Sequence, residues 1–272
     1  MTSPENKQFT IVSSKKTKHI LPNILTLVGV CLGISSIKFA IDQNYSFAVL
    51  FILLAAFLDA LDGRVARLIK ATSDFGKELD SLTDFVSFGI APAFILYFWE
   101  LNKYGKIGWA ITLIFSVCCV LRLARFNLTE VKEGEFWKKN YFEGVPSPAG
   151  GILILAPLIY DLSVFKINFT ILNINLGINN FTPYFTLVIA FLLISKIPTF
   201  SFKKITISAQ FTPFILLGVG VIFAALMLFT FETLLILLVA YLILIPISSI
   251  LYIIKYREIK NNLVEDDHDE VF

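Results

Sequence analysis

The chain has 272 residues, 56% of them hydrophobic and only 16% charged, with a mean hydropathy of +0.76. Soluble domains carry about a quarter charged residues, so this composition excludes an ordinary soluble globule and a disordered chain, and indicates an integral membrane protein. The 23 Lys+Arg and 21 Asp+Glu leave a net charge of +2, which excludes a nucleic-acid binder held by bulk charge.

The first 19 residues are polar and carry no signal-peptide pattern. Apolar runs long enough to span a bilayer, or nearly so, then follow at about 20–41, 46–69, 83–99, 107–126, 148–164, 181–195, 211–231 and 234–255. They predict an all-α, polytopic transmembrane bundle of about eight helices, a single membrane domain over 20–255. The acidic segment 256–272 is expected to be a solvated, frayed tail. There is no internal repeat. Cys31, Cys118 and Cys119 sit in apolar runs, and the only histidines are His19 and His268, so no Cys/His metal pattern exists.

Basic residues orient the bundle. Threading eight spans from a cytoplasmic N-terminus puts 19 of the 23 Lys+Arg on the cytoplasmic side. That bias is the positive-inside signature and places both termini in the cytoplasm.

Four carboxylates lie where a membrane protein should avoid them. Asp59 and Asp62 are near the cytoplasmic end of the second run, and Asp80 and Asp84 open the third. An ionised carboxylate at a span centre costs about 2.5–3.5 kcal/mol on insertion scales, and less near the interface. Positions three or four apart share a helix face, so each pair projects together from its helix. The polar segment 69–77 can turn, which makes the two helices antiparallel neighbours and lets all four carboxylates converge. An all-oxygen set without His or Cys suits Mg²⁺ or Mn²⁺, not zinc or copper.

Groups suited to phosphate lie between the two pairs. Gly63 lets a ligand approach the backbone, Arg67 offers a planar cationic fork, Thr72 and Ser73 supply hydroxyls, and Gly76 opens the next helix. Each group alone has a plainer explanation: an Asp-Gly pair is usually a turn, and an interfacial Arg usually anchors a span.

Written out, the segment is Asp59-x2-Asp62-Gly63-x2-Ala66-Arg67-x8-Gly76-x3-Asp80-x3-Asp84. It resembles, at all eight specified positions, the signature of the CDP-alcohol phosphatidyltransferase family. Outside the signature the chain looks most like the bacterial-type phosphatidylserine synthase branch. The stretches that carry this likeness are Leu21-Pro22-Asn23-Ile24-Leu25-Thr26, Phe85-Val86-Ser87-Phe88-Gly89-Ile90-Ala91-Pro92, Arg122-Leu123-Ala124-Arg125-Phe126-Asn127 and Phe142-Glu143-Gly144-Val145-Pro146-Ser147-Pro148-Ala149-Gly150-Gly151.

The resemblance implies a six-helix core plus two C-terminal helices, a homodimer, and location in the bacterial inner membrane. It implies transfer of the phosphatidyl group from CDP-diacylglycerol to L-serine, releasing CMP, at the cytoplasmic interface with two divalent ions, Mg²⁺ or Mn²⁺. Asp59 and Asp80 would bridge both ions, Asp62 and Asp84 would complete one site each, and Asp84 would also act as general base. Gly63, Ala66, Arg67, Ser73 and Gly76 would hold the CDP portion, with Asn23 and Thr26 closing over the nucleotide. Thr26 could equally be a helix-interior hydroxyl bonded to its own backbone.

Serine is a zwitterion, so its carboxylate needs a cation. Arg122 and Arg125, three apart at a cytoplasmic helix end, are the candidates, with Asn127 nearby. Membrane anchoring or pairing with the helix dipole is the plainer role for both arginines. The same chemistry on another acceptor (glycerol 3-phosphate, inositol phosphate or choline) stays open, since Arg122, Arg125, Lys138 and Lys139 could serve a phosphorylated acceptor. A remote alternative is an ion-coupled transporter, but that class predicts broken mid-membrane helices and an internal repeat.

Overall fold

A computed structural model describes residues 20–69, 73–128, 141–164, 170–171, 174–175, 178–200 and 211–269. Thr72, Lys138, Lys139 and the 1–19 tail lie outside the described residues.

The chain is an all-α polytopic bundle, and every apolar run of the sequence becomes helical. The elements are α1 (Ile20–Ile41), α2 (Tyr45–Leu68), α3 (Asp74–Trp99), α4 (Lys106–Leu128), α5 (Ser147–Ile154), α6 (Ala156–Leu162), α7 (Ile178–Ile194), α8 (Thr212–Leu228) and α9 (Thr230–Asp269). Among the described residues five helices are long and apolar enough to cross a membrane: α1, α2, α3, α4 and α9 over Thr230–Ile254. Helix α8 buries none of its residues and is apolar all round, with Phe214, Leu216 and Leu217 exposed, as a lipid-facing helix should be.

Three features depart from the hydropathy pattern. The third helix starts at Asp74, well before its apolar part, because the Ser73 side chain caps it by accepting the Gly76 N–H at 3.0 Å. The fifth run breaks at Leu155 into α5 and α6, because Pro157 has no N–H to continue the ladder. Helix α9 runs on to Asp269, beyond the apolar run that ends near 255. Two short antiparallel pairs also join connecting segments: β1 (Tyr141–Glu143) with β4 (Pro198–Phe200), in the register Phe142↔Thr199, and β2 (Thr170–Ile171) with β3 (Ile174–Asn175).

The core is centred on the middle of α3. Residues Phe85–Ile90 form a π-helical segment immediately after Asp84, between the α-helical parts Asp74–Asp84 and Ala91–Trp99. A π turn leaves backbone groups poorly served within the helix; a side chain of α4 serves one of them here, and a side chain of the π segment in turn bonds the backbone of α1. Ser116 Oγ donates to the Gly89 carbonyl and Ser87 Oγ to the Gly29 carbonyl, both at 3.3 Å. Helices α1, α4 and α5 all pack on this segment. Phe88, Phe115, Leu153 and Ile154 fill the space between them and are fully buried.

Gly151 is the tightest point of that packing. A Cβ there would lie 2.7 Å from the Phe88 carbonyl oxygen, a backbone atom that cannot swing aside. Gly151→Ala is expected to destabilise the protein by about 1–3 kcal/mol, the usual cost of overpacking. A thermal-unfolding comparison checks it, and an unchanged Tm would show that α5 and α3 are not closely locked.

Candidate active site

Helices α2 and α3 deliver the carboxylates, and α1 positions both helices. Helix α1 packs along α2 and also against the first turns of α3, whereas α2 meets α3 mainly along the π segment and beyond. The C-terminal part of α2 and the N-terminal part of α3 therefore face one another across a space instead of closing on it. Into that space project Asp59 and Asp62 from α2 and Asp80 and Asp84 from α3.

One carboxylate oxygen from each of Asp59, Asp62 and Asp80 lies within 4.8 Å of the other two. Asp84 stands next to Asp59. Asp62 is 4% exposed, and Thr26 Oγ1 donates to its Oδ2 at 2.8 Å. The same hydroxyl lies 3.0 Å from the Pro22 carbonyl, its own helix backbone. The backbone-bonded hydroxyl foreseen for Thr26 is thus present, and the bond to Asp62 is an addition to it. Its single proton serves one acceptor at a time, and the carboxylate is the stronger acceptor.

Asp84 has a different environment. Ser147 Oγ, from the first residue of α5, donates to Asp84 Oδ2 at 2.9 Å, and Arg122 Nη1 donates to the same Ser147 Oγ at 2.9 Å. Asp84 Oδ1 and Arg122 Nε are buried without a hydrogen-bond partner. The Arg122 guanidinium also lies 5.4 Å from the Phe126 ring centroid.

A cleft of about 340 Å³ opens beside the aspartates, lined by Asn23, Thr26, Asp62, Gly63, Ala66, Ser73, Gly76 and Asp80, with Pro22, Asp74 and Lys77. Six of the seven residues expected around the CDP portion line it. Arg67 does not: it is exposed, and its Nε donates to the Gly63 carbonyl at 2.9 Å. Nothing stands within 4 Å of where a Gly63 Cβ would be, so this wall of the cleft is open.

The acceptor candidates separate. Arg122 is buried beside Asp84 through Ser147. Arg125 Nη1 donates to the Ile194 carbonyl at 2.5 Å, at the end of α7. Asn127 Nδ2 donates to Ser81 Oγ at 2.9 Å, tying α4 to α3. Lys77 and Ser147 were not singled out from the sequence. Lys77 follows Gly76 directly in the sequence. Ser147 lies inside a stretch that carried resemblance, but nothing local pointed it at Asp84.

Comparison with known proteins decides the family. The sequence profile of the CDP-alcohol phosphatidyltransferase family matches residues 19–257, nearly the whole chain. The chain belongs to that family. Its relatives include the CDP-diacylglycerol–serine O-phosphatidyltransferase of Mycobacterium bovis, 33% identical over 231 residues, which span 85% of this chain and 78% of the relative. The enzyme of that name from Mycobacterium leprae is 34% identical over 236 residues, 85% of this chain and 74% of the relative. That from Bacillus subtilis is 34% identical over 186 residues, 68% of this chain and 93% of the relative. Family membership gives the aspartate cluster, the adjoining cleft and the apolar helices a common setting: lipid chemistry within a membrane.

Proposed function

We propose that this protein transfers the phosphatidyl group of CDP-diacylglycerol to the hydroxyl of L-serine, giving phosphatidylserine and CMP. The observation that carries the proposal is the convergence of four aspartates from α2 and α3 beside the cleft that Asn23, Thr26, Gly63 and Gly76 line. The serine acceptor is supported by the relatives, which carry that activity in their names.

The donor set fits a hard divalent cation. Three carboxylate oxygens lie within 4.8 Å of one another, and Asp84 keeps a buried oxygen without a protein partner. Carboxylates gathered this closely need a cation to offset their repulsion, and oxygen ligands favour Mg²⁺ or Mn²⁺. Asp59, Asp62, Asp80 and Asp84 would hold two such ions. When bound, these supply charge neutralisation of the pyrophosphate and stabilise the departing phosphate.

The chain's own residues do the rest. Asn23, Thr26, Gly63, Ala66, Ser73, Gly76 and Lys77 receive the CDP portion of the donor at the N-terminal end of α3, where the helix dipole favours phosphate. Arg122 offers its unpartnered Nε–H to the serine carboxylate. Asp84 accepts the hydroxyl proton as the serine oxygen attacks the phosphorus bonded to diacylglycerol. The bond from that phosphorus to the CMP oxygen breaks, and CMP leaves with the electron pair. Arg67, Arg125 and Asn127 shape the surroundings through contacts to Gly63, Ile194 and Ser81.

The 19-of-23 basic bias supports a cytoplasmic active site with both termini on that side. Such a site in a bacterial inner membrane receives its lipid donor laterally and serine from the cytosol. A homodimer is the assembly we propose with it.

The test is CMP release from CDP-diacylglycerol by purified protein, with and without Mg²⁺ or Mn²⁺, across serine, glycerol 3-phosphate, inositol phosphate and choline. Release is expected only with serine and metal. Release with a different alcohol moves the acceptor, and no release from folded protein removes the transferase assignment.

A further inference from the structure

We propose that Ser147 is a positioning residue that acts as a spacer. Its hydroxyl stands between Asp84 and Arg122 and keeps them from closing into a direct ion pair. The inference rests on the catalytic role given above to Asp84.

The hydrogen-bond directions are fixed by chemistry. Arginine has only donors, so Ser147 Oγ must accept from Arg122 Nη1 and spend its single proton on Asp84 Oδ2. The two charged groups are therefore linked through one oxygen instead of directly. Each keeps one buried atom without a partner, Oδ1 on Asp84 and Nε on Arg122. A direct guanidinium–carboxylate pair is commonly bidentate and would consume both atoms. With the spacer in place, one carboxylate oxygen and one guanidinium N–H stay available to a ligand.

The spacer is itself held rigidly. Ser147 is 0% exposed and sits between Pro146 and Pro148, at the first residue of α5. The turn before it is pinned to the end of α7: Gly144 N–H donates to the Ile197 carbonyl at 2.9 Å, and Val145 N–H to the Leu192 carbonyl at 3.4 Å. Gly144 has φ +74°, and a Cβ there would meet the Ser195 carbonyl at 2.7 Å, so a glycine is required at this turn. One turn into α5, Gly151 locks against Phe88, four residues past Asp84. Ser147 thus cannot drift from its place beside Asp84 without unseating both α5 and the β1–β4 turn.

A spacer makes a prediction that simple packing does not: the cost of losing it depends on Arg122. The experiment is a double-mutant cycle of Ser147→Ala and Arg122→Met, measuring kcat and KM for CMP release at saturating serine, with Tm for each variant. Ser147→Ala in the parent is expected to lower kcat by about 30-fold or more, within the range of proton-transfer effects, with Tm and the KM for CDP-diacylglycerol nearly unchanged. In the Arg122→Met background, where no cation remains to capture Asp84, Ser147→Ala should cost less than about threefold. Ser147→Cys has nearly the same shape and a poor donor, and it replaces Ala in the cycle if the alanine variant does not fold. Equal cost in both backgrounds overturns the spacer, as does a kcat within threefold of the parent. An inactive parent protein instead removes the transferase assignment, and the spacer with it.

Discussion

Asp84→Asn is expected to lower kcat for CMP release by about 10³-fold while leaving the fold intact, the size of effect associated with losing a positioned proton acceptor. The amide has the shape of the carboxyl group, and its oxygen can still accept the Ser147 hydroxyl that now bonds Oδ2 at 2.9 Å. The amide nitrogen then falls where the unpartnered Oδ1 stands. A nitrogen there carries two hydrogens and no free lone pair, so it can neither take a proton from the attacking hydroxyl nor ligate a cation. The KM for CDP-diacylglycerol should rise as well, because Asp84 is one of the carboxylates that would hold the cations facing the pyrophosphate, though less than if a residue lining the cleft were lost. Parallel measurement of kcat, KM and Tm checks this. A loss smaller than about tenfold in folded protein would mean that another group takes the proton.

Asp80→Asn carries the second large effect, with opposite signs for activity and stability. Asp59, Asp62 and Asp80 offer oxygens within 4.8 Å of one another, and no cationic side chain bonds any of them among the described residues. Carboxylates held this close repel one another whenever they ionise, so a metal-free cluster strains the fold. Neutralising one member should raise Tm in EDTA by about 3–8 °C, corresponding to roughly 1–2 kcal/mol. The parent protein should gain stability when Mn²⁺ is added, through ordinary binding linkage, and the variant should lose most of that gain. CMP release should fall about 100-fold or more, since the charge opposing the pyrophosphate is then poorly offset. A Tm in EDTA at or below that of the parent, or an undiminished Mn²⁺ response, would show that the cluster does not hold the cation. Sites kept for function at the expense of stability commonly behave this way.

The extent of the bundle was legible in the residues because hydropathy is additive along a chain. Each apolar run longer than about 17 residues has few options other than a helix once it enters lipid. The aspartates were legible for the related reason that a carboxylate in such a run is costly and calls for a function. The helix face shared by Asp59 and Asp62, and that shared by Asp80 and Asp84, followed from 3.6 residues per turn alone. Hydropathy was blind to the polar turns of α3 before its apolar part, where the Ser73 cap starts the helix. It was also blind to the break at Leu155, which depends on the missing N–H of Pro157.

By itself, then, the sequence determined a membrane-embedded helical bundle, its resemblance to the CDP-alcohol phosphatidyltransferase family, and four aspartates as the candidate site. Those conclusions rest on local quantities: residue polarity, helical period and the spacing of one contiguous motif of 26 residues. Only the tertiary structure decided what faces Asp84. Ser147 lies 63 residues from Asp84 and 25 from Arg122, and the hydroxyl reaches both because α5 wedges between α3 and α7. Arg125 and Asn127 were given their partners in the same way, by contacts to Ile194 and Ser81 in distant segments. A side chain's partner across distant segments is set by how helices pack, and that packing is a property of the whole chain that no local pattern encodes.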